Sequence, residues 1–160
     1  LTDDGFLKTG DMGEIDRDGC LRITGRVKDL FKTSKGKYVV PVPIENRFNH
    51  PKAEVGCVAG ANQPQPCLMV LLCEEARDEL ERGGSRSELE QELAEELDSV
   101  NAECESHEKV AFVVVVREPW TMENGMLTPT MKIKRNVIED FYNRKMDEWF
   151  EQKRKVIWEF

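Results

Sequence analysis

Two unbroken apolar runs constrain the fold of this chain more than any other feature of its sequence. They extend from Cys67 to Cys73 and from Val110 to Val116. Each run is far too short to cross a bilayer, and each has the length and composition of a buried strand. With a further strand predicted over 53–61, they predict a small three-stranded sheet.

Helices are predicted between and after these strands. A helix from Glu74 to Arg82 ends at a glycine pair, and Ser85 begins the next one with Glu88 as a capping-box partner. A final amphipathic helix begins near residue 136. The buried stripe of the second helix consists of Leu89, Leu93, Leu97 and Val100. This order of elements predicts an α+β fold, a three-stranded sheet with helices packed on it.

A β-hairpin is predicted ahead of this unit. Residues 11–24 alternate in polarity around the turn Arg17-Asp18-Gly19, where the glycine supplies a positive φ. A second short strand pair is predicted over 30–33 and 37–40. The weakest connection lies near residues 26–29, so the hairpin and the remainder of the chain are expected to be separate units.

Charge and cysteine content exclude several classes of function. The 160 residues carry 31 acidic and 23 basic side chains, for a net charge of -8, which disfavours binding to nucleic acid. Five cysteines without a CxxC pair and two histidines offer no zinc-ligand spacing. Free thiols and the absence of a signal-peptide pattern favour a reducing, cytoplasmic location. The start at Leu1 rather than at a methionine suggests a fragment of a longer protein.

The first segment with potential chemistry is Gly5-Phe6-Leu7-Lys8-Thr9-Gly10-Asp11. An ionised Asp11 at the mouth of a strand can accept hydrogen bonds from two hydroxyl groups, as a ribose presents them. A turn aspartate that caps local backbone is the alternative interpretation.

The second segment runs from Gly25 to Tyr38 and holds several basic residues in an acidic chain. Local positive charge suits a ligand that carries phosphate. A solvated hairpin with lysines along its edge explains the same residues.

The third segment is Leu127-Thr128-Pro129-Thr130-Met131-Lys132-Ile133-Lys134-Arg135. A loop with two threonine hydroxyls leads into basic residues at a helix start, where cations oppose the helix macrodipole. An anion bound jointly by the helix end and a lysine would explain the pattern. Surface lysines of small energetic cost are the alternative.

Taken together, the three segments resemble the adenylate-forming superfamily of acyl-CoA synthetases, luciferases and peptide-synthetase adenylation domains. The pattern is most similar to bacterial long-chain fatty acid–CoA ligases. The resemblance rests on four stretches in the family's order: Thr9 to Asp11, Ile23 to Asp29, Thr33 to Val39 and Leu127 to Lys132.

The resemblance implies roles for individual residues. Asp11, with Thr9 beside it, would hold the ribose hydroxyls of ATP and of the acyl-adenylate, and Arg26 would contact the same ribose and phosphate region. Lys28 would be the hinge about which a small domain rotates between two half-reactions. Lys132 would be the adenylation lysine, between the attacking carboxylate and the α-phosphate.

A second set of roles concerns thioester formation. Lys32 matches a lysine that some relatives use in this second half-reaction. The following turn would line the pantetheine tunnel for CoA. Its residues are Ser34, Lys35, Gly36, Lys37 and Tyr38. Relatives often have glycine immediately before the adenylation lysine, where this chain has Met131.

The resemblance also implies the parts that this chain lacks. Residues 1–27 would be the end of a large N-terminal AMP-binding domain, and residues 28–160 the mobile C-terminal domain. The phosphate loop, the adenine contact and the acyl pocket would lie in the large domain, together with most ligands of Mg²⁺. The fragment alone would then be inactive, and the full-length protein would be able to make peripheral membrane contact.

The reaction that the resemblance implies is ATP-dependent ligation of a carboxylic acid, a fatty acid by the most similar pattern, to CoA through an acyl-adenylate. Two alternatives remain. One is an adenylating enzyme that delivers the acyl group to a carrier protein or a reductase. The other is a non-catalytic α+β module that binds a nucleotide or a partner through its basic loops.

Overall fold

The structure contains the predicted elements, and its main sheet has one strand more than predicted. A computed structural model describes residues 1–160. The strands are β1 Asp11–Ile15, β2 Leu21–Arg26, β3 Phe31–Lys32, β4 Tyr38–Val39, β5 Ala53–Ala59, β6 Cys67–Leu72, β7 Val113–Val115 and β8 Val156–Trp158. The helices are α1 Pro41–Arg47, α2 Glu74–Glu81, α3 Arg86–Ala102 and α4 Arg135–Glu151. A single 3-10 turn, Val27–Asp29, connects β2 to the remainder.

The main sheet confirms the α+β prediction but has four strands, so the predicted count of three is wrong. Its order is β5-β6-β7-β8, with an antiparallel first pair and parallel β6–β7 and β7–β8 pairs. The added strand is β8, whose residues pair with Val113–Val115. Three residues are too few for a periodic signal, and the pairing forms only because α4 returns the chain to β7.

Helices cover both faces of the sheet. Along β6, Leu68, Val70 and Leu72 pack into the core that contains α3, whereas the alternate residues face the core beneath α4. All six residues of β6 are buried, which explains why the strand appears as a continuous apolar run. Packing on α4 involves the buried Ile138, Tyr142, Met146 and Trp149.

The second apolar run is buried except at the half-buried Ala111, but only its centre is a strand. The start of the run is held by a side chain, because Asn101 donates to the Val110 carbonyl at 2.9 Å and accepts from its N–H at 2.8 Å. These bonds satisfy the backbone of Val110 without a neighbouring strand. The predicted strand from 110 to 116 is therefore shorter, at Val113–Val115.

The predicted helices are confirmed, with shifts of one or two residues at their ends. The Ser85 hydroxyl accepts a hydrogen bond from the Glu88 N–H at 3.2 Å, as expected for the cap of α3. The predicted leucine stripe of α3 is buried. None of the four helices combines the length and the apolar character that crossing a bilayer requires.

The β1–β2 hairpin stands apart from both cores. It forms a two-stranded sheet of its own, and neither hydrophobic cluster contains a residue before Phe31. Its side chains Ile15, Leu21 and Ile23 are 74%, 67% and 61% exposed. Gly25 of β2 packs against Val40, the residue before α1, and an added Cβ would meet the Val40 side chain at 2.9 Å. The hairpin therefore carries apolar surface that this chain leaves open to solvent.

Candidate functional site

Lys132 lies exposed on a closed loop that precedes α4. Leu127 and Ile133 form an antiparallel bridge at the base of the loop. Above the bridge, the Thr128 N–H donates to the Lys132 carbonyl at 2.8 Å, and the Lys132 N–H donates to the Thr128 hydroxyl at 3.1 Å. The loop's hydrogen bonds thus fix the backbone of Lys132 while its side chain remains in solvent.

Met131 occupies a backbone conformation that favours glycine. Its φ is 58°, in the left-handed region, and its side chain is 63% exposed. A Cβ in this region is strained, which is why glycine is the preferred residue there. The substitution noted at this position in the sequence is therefore accommodated at a local energetic cost.

The loop continues into a buried ion pair that the sequence did not reveal. Arg135, the first residue of α4, is 8% exposed, and its two terminal nitrogens donate to the two carboxylate oxygens of Glu45 at 2.6 and 2.9 Å. The same guanidinium donates to the Val58 carbonyl at 2.5 Å. Burial is the largest single influence and lowers the pKa of Arg135, but the hydrogen bonds with Glu45, together with the negative charges of Glu45 and Asp29, raise it overall.

A shallow cleft of about 420 Å³ adjoins Lys132. Its other walls come from α1, β5 and the loop between them, with Glu45, Gly56 and His50 respectively among the lining residues. None of the residues from 32 to 38 lines this cleft, and neither does Asp11 or Arg26. The cleft beside Lys132 therefore contains none of these other candidate residues.

The hinge candidate Lys28 lies in the 3-10 turn between two separate sheets. The residues on either side, Arg26 and Leu30, are extended, with φ, ψ values of −116°, 138° and −62°, 131°. The Lys28 side chain is exposed. A second cleft, of about 440 Å³, lies between this turn and the start of α4, with Lys28, Asp29 and Lys134 in its lining.

The three nucleotide-binding candidates are close together on the hairpin. Asp11 and Arg26 are paired residues of β1 and β2, and the Arg26 Nε lies 3.2 Å from the Asp11 carboxylate. The Asp11 N–H donates to the Thr9 hydroxyl at 3.2 Å. Both charged side chains are accessible, at 68% for Arg26 and 33% for Asp11. An exposed pair of this kind is weak enough to exchange partners with a ligand.

The candidate CoA segment forms the tight turn between β3 and β4. Gly36 has a φ of 80°, and its N–H donates to the Thr33 carbonyl at 2.9 Å. The Lys32 ammonium lies 5.6 Å from the centre of the Tyr38 ring. Every side chain from 34 to 38 is exposed, so the structure groups Lys32 with this turn on an open surface.

No group of three or more metal-ligating side chains is present in the structure. The five cysteines are all unpaired. Burial raises the pKa of the Cys67 thiol to about 12 and raises that of Cys57 as well. These two thiols are therefore inert core residues rather than nucleophiles.

The sequence profile of the AMP-binding enzyme C-terminal domain family matches residues 28–154. A long-chain-fatty-acid–CoA ligase of Mycobacterium tuberculosis is 33% identical over 150 residues, which cover 86% of this chain and 25% of the relative. Long-chain-fatty-acid–CoA ligase 5 of Mus musculus is 29% identical over 165 residues, covering 94% of this chain and 24% of the relative. This chain thus spans about a quarter of the length of these relatives.

Among solved structures, the adenylation domain of a carboxylate reductase from Mycobacterium chelonae is similar, with a TM-score of 0.76 and 25% identity. The match covers 93% of this chain and 24% of that chain. The resemblance derived from the sequence motifs is confirmed, because the family profile covers most of the chain and includes Lys132. The chain therefore belongs to the family of C-terminal domains of AMP-binding enzymes.

Proposed function

We propose that this chain is the C-terminal part of an ATP-dependent acid–thiol ligase that activates fatty acids. A carboxylate attacks the α-phosphate of ATP, pyrophosphate leaves, and the CoA thiol then displaces AMP from the acyl-adenylate. The observation that carries the proposal is Lys132, exposed on a hydrogen-bonded loop in a chain that is 33% identical to a long-chain-fatty-acid–CoA ligase.

Lys132 is the proposed adenylation residue. Attack of a carboxylate on a phosphate brings two anions together, and a positioned ammonium group stabilises the charge that accumulates. Loss of such a donor typically lowers the rate by about 10²–10³-fold. The exposed side chain and the fixed backbone of Lys132 support this role, since the ammonium group can reach a nucleotide outside this chain.

Rotation about Lys28 is the proposed means of exchanging the two half-reactions. Residues 1–27 would move with a large ATP-binding domain, and residues 28–160 would rotate against it. Two observations support this division: the hairpin shares no core with the remainder, and a short turn between extended residues joins them. A few residues at the end of an element commonly absorb such a change in backbone angles.

The remaining roles follow from the same division. Asp11, Thr9 and Arg26 would bind the ribose and phosphate region of ATP or AMP from the hairpin. In the second orientation, Lys32 and the turn from Ser34 to Tyr38 would face the site and bind CoA. Their grouping on one exposed surface supports a shared role.

We propose that Mg²⁺ binds mainly to the ATP phosphates and the large domain, as the resemblance implies. The five unpaired cysteines support a reducing compartment, and we propose the cytoplasm.

The test uses the intact enzyme and measures the half-reactions separately. Lys132→Ala should lower acid-dependent ATP–pyrophosphate exchange by about 10²–10³-fold, while a pre-made acyl-adenylate still reacts with CoA. Lys32→Ala should show the opposite selectivity, and Lys28→Pro should impair one half-reaction more than the other by restricting the hinge. Lys109→Ala, at another exposed lysine, is the control. Undiminished exchange in Lys132→Ala would contradict the assignment.

A second candidate function is adenylation followed by transfer to a carrier-bound thiol. It is favoured by the similarity to the adenylation domain of a carboxylate reductase. A comparison of CoA with a phosphopantetheinyl carrier as acceptor, at equal concentrations of acyl-adenylate, separates the two functions. Faster thioester formation on the carrier would favour the second.

A further inference from the structure

The buried pair of Arg135 and Glu45 joins three elements at a single point. Arg135 begins α4, Glu45 lies on α1, and both contact Val58 of β5. The Glu45 carboxylate accepts from the Val58 N–H at 2.6 Å, and the Arg135 guanidinium donates to the Val58 carbonyl. With the forked pair itself, these bonds connect the start of α4 to both α1 and the edge strand β5.

Burying such a pair carries a large desolvation free energy. The side chains are only 8% and 13% exposed, so both charges have lost most of their hydration. The positive charge also lies at a helix N-terminus, where it opposes the macrodipole. Apolar residues of similar size often stabilise a core equally well. We therefore attribute the pair to geometry rather than to stability, because a forked ion pair fixes the relative orientation of its two side chains.

The Lys132 loop is connected directly to this ion pair. Arg135 follows Lys132 by three residues in the chain. Between them, Ile133 forms the bridge to Leu127, and the Lys134 N–H donates to the Met126 carbonyl at 2.8 Å. A shift of α4 by a fraction of an ångström would therefore displace Lys132 as well, because only Ile133 and Lys134 separate it from Arg135.

We propose that Arg135, held by Glu45, is a positioning residue that places the Lys132 ammonium group for adenylation. The proposal rests on the proposed function, since it assigns no chemistry of its own to Arg135. The guanidinium is buried and both of its terminal nitrogens donate to protein groups, so it acts through the loop and not by contact with substrate. A displacement of about 1 Å in a reacting group can lower a rate by about 10²-fold.

The experiment measures both half-reactions in the intact enzyme carrying Arg135→Met, Arg135→Lys or Glu45→Gln. All assays are run well below each variant's melting temperature, determined by circular dichroism. We expect Arg135→Met to lower acid-dependent ATP–pyrophosphate exchange by about 10²-fold and to leave thioester formation from a pre-made acyl-adenylate near the parent rate. Arg135→Lys should give a smaller loss, because lysine retains the charge without the fork.

Glu45→Gln tests the partner. Its amide oxygen can still accept from the Val58 N–H, but the forked charge pair is lost, so we expect the same selective defect in smaller measure. The control is Arg82→Met, which breaks the exposed pair with Asp78 on α2. It should leave both half-reactions unchanged.

The decisive comparison combines variants. If Arg135 acts through Lys132, then Lys132→Ala with Arg135→Met should exchange no more slowly than Lys132→Ala alone. A further loss equal to the full effect of Arg135→Met, or parallel losses in both half-reactions, overturns the positioning role while the proposed function stands. Undiminished exchange in Lys132→Ala overturns the proposed function, and the positioning role with it.

Discussion

The strained conformation of Met131 gives a prediction whose sign depends on the backbone alone. Its φ of 58° places it in the left-handed region, whereas Met122, at 50% exposure in the preceding turn, does not have a positive φ. We compare the step from Met→Ala to Met→Gly at the two positions. Each alanine variant removes most of the side chain first, so the alanine-to-glycine step reports on the backbone.

The magnitude follows from two opposing contributions. A residue with a Cβ pays about 1–2 kcal/mol to adopt the left-handed region, and glycine removes this cost at 131. Glycine also increases the entropy of the unfolded chain, which costs about 0.4–1 kcal/mol at either position. We therefore expect the glycine step to stabilise at 131 and to destabilise at 122. The two steps should differ by about 1–2 kcal/mol.

Urea unfolding followed by tryptophan fluorescence measures these free energies for the four variants Met131→Ala, Met131→Gly, Met122→Ala and Met122→Gly. Equal m-values across the set would show that the comparison concerns stability rather than the unfolded ensemble. If the glycine step costs as much at 131 as at 122, the loop before Lys132 does not hold a left-handed residue, and the account of its strain is wrong.

Two further predictions concern titratable groups. Burial lowers the pKa of His50 despite nearby Glu92 and Glu96, and its Nδ1 accepts from the Lys52 N–H at 3.3 Å. Protons then bind the unfolded state preferentially, so the free energy of unfolding should fall as pH drops from 7.5 through 6.5 towards the lower folded pKa. Thermal melts of His50→Gln should show a melting temperature that depends less on pH over this range. An equal pH dependence in the parent and the variant would contradict this role of His50. Iodoacetamide at pH 8 should modify exposed Cys20 and spare Cys67 until the protein unfolds, as peptide mass spectrometry can check; equal labelling of both would refute the burial of Cys67.

The elements that the sequence predicts well are those with local causes. Ser85 caps α3 through a contact three residues away, and the apolar stripe of α3 repeats at helical spacing. The run from Cys67 needs no partner to be identified, because a strand covered on both faces is apolar at every position. These signals lie within one element, where short-range patterns suffice.

The strand β8 was missed for the opposite reason. Val156 pairs with Val113, more than forty residues earlier, and neither segment alone specifies that pairing. A three-residue strand is stable only after α4 has packed on the sheet and placed the following residues beside β7. The start of the second apolar run lies outside the strand for a similar, non-local reason. Asn101 of α3 forms the hydrogen bonds of the Val110 backbone that a neighbouring strand would otherwise provide.

The residues of the candidate site also divide into those with local sequence signals and those that only tertiary packing brings together. Lys132, Lys28 and Asp11 were identified because motif resemblance preserves their order along the chain, which requires no knowledge of contacts. Arg135 and Glu45 are separated by 90 positions, and only the folded structure brings them together. Arg135 belongs to the motif by sequence, yet its burial and its partner are tertiary facts. A motif can thus point to a candidate catalytic residue such as Lys132, whereas a proposed positioning residue such as Arg135 is found only from packing between elements distant in the chain.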